Sequence, residues 1–64
     1  MMLRYCIEKP EAAERIKAQI KKHGEKCFIM KTGSGYPDGR VIFIPSGYEY
    51  IVSLWCRRYK SKYS

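Results

Sequence analysis

One histidine, six acidic residues and three cysteines are all that 64 residues offer for acid–base, nucleophilic or metal chemistry. The carboxylates are scattered, without the paired spacing of a general acid and base, and no serine–histidine–aspartate arrangement surrounds His23. The chain is therefore expected not to be an enzyme. Cys6, Cys27, Cys56 and His23 are the ligand types of a Cys₃His zinc site, but no two of them show the short chelating spacing of structural zinc. Each cysteine falls in an apolar, strand-like context, so the expectation is three buried thiols and no cofactor. Their odd number and wide spacing also argue against the disulfide framework of a secreted mini-protein. No apolar h-region opens the chain and no run approaches the length of a membrane span. The expected setting is cytoplasmic, soluble and thiol-reducing, with no membrane partner.

What the chain has in excess is positive charge. Thirteen Lys and Arg against six Asp and Glu leave +7, a field that favours nucleic acid or another polyanionic surface. Apolar residues make up 45% of the chain, too many for a disordered tail. No repeat, low-complexity tract or linker divides it, so residues 1–64 are read as one domain with a basic C-terminal segment at 57–64. A chain this short buries only about 60% of the surface exposed when it is unfolded, and its core is thin.

Leu3, Tyr5 and Ile7 alternate with Met2, Arg4 and Cys6, which predicts a strand. Pro10 suits the first turn of a helix, and Glu11 and Glu14 follow near its positive end. Lys21, Lys22 and His23 fall at the negative end, and Gly24 is a natural terminator. Ala12, Ala13, Ile16, Ile20 and His23 form one stripe of that helix. Strands are then predicted over 26–31, 40–44 and 48–59, the last part of the third being open to a helical reading, separated by a Gly-rich loop ending in Pro37-Asp38-Gly39 and by the turn Pro45-Ser46-Gly47. The expected fold is α+β, one helix packed on a small, mainly antiparallel sheet in the order β-α-β-β-β.

The last two strands carry apolar residues on both sides. Ile42 and Ile44 oppose Val41 and Phe43; Tyr50, Val52, Leu54 and Cys56 oppose Ile51, Trp55 and Tyr59. One helix covers one sheet face, so the second face is expected either to be closed by the chain itself, through its C-terminal residues or a curled half-barrel, or to meet a ligand, a protein or a second copy in a homodimer.

Around that face the sequence interleaves cations with aromatics: Trp55, Arg57, Arg58, Tyr59, Lys60 and Lys62. Single-stranded nucleic acid is held by rings that stack on bases beside cations that follow phosphates. Those six residues, with Lys17 and Lys21 on the helix, are the expected nucleic-acid-binding residues. The competing account is a solvated charged tail and a core tryptophan; on the helix, Glu14 offsets Lys17 and Lys21, as on an ordinary solvated face. The loop Thr32-Gly33-Ser34-Gly35 lacks a P-loop ending and is read as a hairpin loop. The expected function is a small basic nucleic-acid-binding protein. The alternative is a small viral or mobile-element interaction or inhibitor protein docking on a host protein. A ribonuclease toxin, built on Arg57, Arg58, Tyr59 and His23, is the least favoured reading.

Overall fold

In the computed structural model, which describes residues 1–31 and 35–64, Met2–Ile7 forms β1, Pro10–Lys22 α1 and Phe28–Met30 β2, followed by Arg40–Pro45 as β3 and Glu49–Arg58 as α2. The class is α+β as expected, but the order is β-α-β-β-α. Among the described residues no helix is long and apolar enough to cross a membrane.

The first helix follows its sequence signals closely. Pro10 occupies the first turn, and Gly24 takes the left-handed conformation (φ +79°) just beyond the C-cap His23. The Gly24 and Glu25 N–H groups donate back to the Lys21 and Ile20 carbonyls at 2.9 and 3.2 Å, a Schellman closure that satisfies the terminal acceptors. Ala12, Ala13, Ile16 and Ile20 are buried, whereas His23, expected on the same stripe, is exposed.

The final predicted strand is a helix. Tyr48, Ile51, Val52, Trp55, Cys56 and Tyr59 recur at intervals of three, one, three, one and three, which is a helical stripe. All six are core or packed against it, although the two-residue period would have put Ile51 opposite Val52 and Cys56. Tyr50 and Leu54, which the two-residue period grouped with Val52 and Cys56, are exposed. The β-branched and aromatic content pointed to a strand, and packing of the helical stripe overrode that preference. Gly47, at φ +100°, turns the chain out of β3, and its N–H donates to the Glu49 carboxylate as α2 begins.

Strand β3 is central, antiparallel to β1 on one side and to β2 on the other. It therefore lies between two strands joined through α1. Directly paired residues share a face of the sheet. Leu3, Tyr5, Ile7, Ile29, Ile42 and Ile44 form one face and all belong to, or pack on, the hydrophobic core built with both helices. The helices run antiparallel: the His23 ring at the end of α1 meets Tyr48 at the start of α2, 5.5 Å between centroids, and Lys9 Nζ at the start of α1 donates to the Tyr59 carbonyl at 3.0 Å. Both helices thus cover the same side.

The C-terminal segment does not form a second cover. Lys60, at φ 54°, reverses the chain after α2. Ser61 is buried, and its hydroxyl accepts from the Lys9 N–H at 3.0 Å. Residues 62–64 then line the outer edge of β1: Cys6 and Ser64 exchange both backbone hydrogen bonds (2.9 and 3.0 Å), and the Glu8 N–H donates to the Lys62 carbonyl at 2.9 Å. The tail seals an edge instead of shielding a face.

Candidate functional site

The eight residues expected to bind nucleic acid fall into separate places once residues 49–58 are helical. At about 100° per residue, Arg57 lies about 160° around α2 from Trp55, and it donates to Ser53 Oγ at 3.4 Å. Lys60 and Lys62 have exposed side chains on a segment whose backbone serves the β1 edge. Lys17 and Lys21 lie on the α1 flank toward Cys27. Burial pushes that thiol above its ordinary value, Lys17 opposes the shift, Glu14 adds to it and Lys21 opposes it. Strand alternation had placed Trp55, Arg57 and Tyr59 on one surface; the helix removes Arg57 from it.

What remains together is Trp55, Arg58 and Tyr59, joined by Arg15 from α1. Trp55 and Tyr59, one turn apart, have centroids 6.2 Å apart. The Arg58 and Arg15 guanidinium carbons lie 5.0 and 5.5 Å from the centre of the Trp55 ring. Arg15 Nε also donates to the Tyr59 hydroxyl at 3.2 Å. The indole is half-buried and engaged by two cations, which leaves it poorly suited to stacking a base. His23 lies at the opposite end of the helix pair from Arg57, Arg58 and Tyr59, about 16 Å along α2 by helical rise. The residue set of the ribonuclease reading is not assembled.

The other side of the sheet holds a different group. Met2, Arg4 and Cys6 on β1, Phe28 and Met30 on β2, and Val41, Phe43 and Pro45 on β3 share the face turned away from the helices. Its middle row runs Arg4–Phe43–Phe28 across three strands, and the next runs Cys6–Val41–Met30. Val41 and Cys6, flanked by neighbours in that row, are buried. Phe28 is 55% exposed and Met30 48%, high for large apolar side chains in a sheet. Lys26 and Lys31 are exposed at either end of β2, and Arg4 is exposed on β1.

None of Arg4, Phe28, Met30 and Phe43 was among the expected binding residues. The signal lay in β3, whose Val41 and Phe43 oppose Ile42 and Ile44, and in the apolar run Cys27-Phe28-Ile29-Met30. Two-sided apolarity indicated a sheet face without a helix on it, whereas the aromatic tail drew attention to residues that the fold distributes over α2 and the β1 edge.

The three thiols are free and buried, and burial raises that of Cys56 to about 11, partly countered by a hydrogen bond with Ser61. Among the described residues no cluster of His, Cys, Asp and Glu is arranged to hold a metal ion. An open cleft of about 310 Å³ lies between Glu8, Lys9, Pro10 and Glu11 and the turn Tyr36-Pro37-Asp38. Residues 32–34 of the Gly-rich loop lie outside the described residues. Comparison with known proteins found no matching family model, no matching curated protein and no matching solved structure.

Proposed function

We propose that this protein binds single-stranded nucleic acid on its open sheet face. The observation that carries the reading is the row Arg4–Phe43–Phe28: two neighbouring aromatic rings and a guanidinium in register on a face that neither helix covers. Bases stack on accessible rings whatever their identity, Phe28 being exposed and Phe43 half-buried, and a cation at the row's end suits the phosphate between them. Lys26 and Lys31 extend the positive border, and the +7 charge of the chain complements a polyanion. A flat, three-stranded platform accepts unpaired bases more readily than a duplex, whose bases are already stacked. The reducing cytoplasm fits three unpaired buried thiols.

Fluorescence anisotropy with labelled single-stranded and duplex oligonucleotides tests the proposal. Single strands should bind more tightly than duplex, and affinity should fall steeply between about 50 and 200 mM salt as phosphate counterions are released. The Phe28→Ala/Phe43→Ala variant should lose most of the single-strand affinity. Equal binding by that variant, or no binding at low salt, would remove the reading.

One observation favours a second reading, a small interaction or inhibitor protein. Met1, Met2, Met30 and Phe28 are all exposed, and flexible thioethers beside an aromatic ring form an adaptable protein-docking surface. Failure of oligonucleotides to bind would turn attention to that partner class.

A further inference from the structure

We propose that Arg15 and Arg58, held over Trp55, form a phosphate-binding site on the helix layer, separate from the open sheet face. The two guanidinium groups come from different helices yet converge on one indole, at 5.5 and 5.0 Å from its centre. Neither is paired with a carboxylate among the described residues; Glu11, one turn before Arg15, is exposed and makes no ion pair with it. Arg15 commits Nε to the Tyr59 hydroxyl, which fixes its plane and leaves its terminal nitrogens as donors. Arg58 makes no hydrogen bond to any described residue. Lys9 adds a third cation nearby through its contact with the Tyr59 carbonyl.

Attraction to the indole offsets only part of the repulsion between like charges brought to one ring. A phosphate group at either guanidinium would relieve that repulsion, and the planar donor fork of arginine matches two phosphate oxygens at once. The aromatic ring then acts as a support that orients the donors, not as a surface for the ligand. The shared ligand chemistry is a phosphate ester or free phosphate. This site stands independently of the sheet-face reading.

Trp55 is the one tryptophan of the chain, so its emission reports directly on this cluster. The protein should be titrated with inorganic phosphate at ionic strength held constant with chloride and, separately, with a single-stranded oligonucleotide. A saturable change in Trp55 emission is expected, and Arg15→Gln/Arg58→Gln should weaken it about tenfold or more. Both positions are exposed, and a urea unfolding curve will verify that the variant is folded. Phe28→Ala/Phe43→Ala should leave the phosphate response intact, which separates this site from the sheet face. A response to phosphate assigns the site to free phosphate or a monoester; one to the oligonucleotide alone assigns it to a backbone diester. No saturable change with either probe, or an undiminished change in the double glutamine variant, overturns the site.

Discussion

Val41 and Ile42 are consecutive on β3 and both are buried, yet they belong to opposite faces of the sheet. Around Ile42 stand Tyr5 and Ile29 in register, with Ile16, Ile20 and Val52 in the same core. Beside Val41 stand its sheet neighbours Cys6 and Met30 in register, and one row away lie Phe28 and Phe43, on the face opposite the helices. One face is apolar because it is packed under two helices, and the other is the face on which binding is proposed. Composition alone does not distinguish these; the number of covering helices does.

Mutation should separate the two faces. Ile42→Ala removes packing from the centre of the core, and urea unfolding should show a loss of about 2–5 kcal/mol, enough to threaten a domain this small. Truncation before residue 62 removes three backbone hydrogen bonds from the β1 edge, with an expected loss of about 1.5–4.5 kcal/mol at roughly 0.5–1.5 kcal/mol each. On the open face the balance is reversed. Phe28→Ala should change unfolding free energy by less than about 1 kcal/mol, while each ring removed should cost about 1–3 kcal/mol of oligonucleotide binding. A Phe28→Ala variant that unfolds as readily as Ile42→Ala would show that the second face is also structural.

A further effect concerns pH. The Cys56 thiol titrates near 11 when folded, above its ordinary value of 9.0, because burial disfavours the thiolate. The unfolded chain therefore ionises first as pH rises. Stability supplied by the neutral thiol is complete below about pH 9 and lost progressively toward pH 11. Unfolding measured across that interval should show a decline that Cys56→Ala flattens.

Much of this architecture was legible before coordinates. Pro10, Glu11 and Gly24 mark both ends of α1 by local rules that tertiary contacts had no reason to override. The turns at Pro37-Asp38-Gly39 and Pro45-Ser46-Gly47 are present, closed by the Gly39 N–H on the Tyr36 carbonyl at 3.1 Å and the Tyr48 N–H on the Pro45 carbonyl at 3.4 Å. Residues 49–58 were misread because Ile51, Val52 and Trp55 favour strands individually while their spacing favours a helix. That one change of period moved the candidate site. It scattered Arg57, Lys60 and Lys62, replaced an expected stacking ring with a clamped indole, and brought in Arg15, whose proximity depends on two helices packing side by side. Arg4, Phe28 and Phe43 lie far apart in the chain, and only strand register makes them one row.

The sealed β1 border has a consequence for assembly. With residues 62–64 along one margin, lateral addition of another chain through backbone pairing is directed to the opposite margin, where β2 is only three residues long. The tail pairs only the Cys6–Glu8 end of β1, so the blocking of that margin is confined to this end. The few residues past α2 thereby remove part of one free strand margin from pairing with another chain.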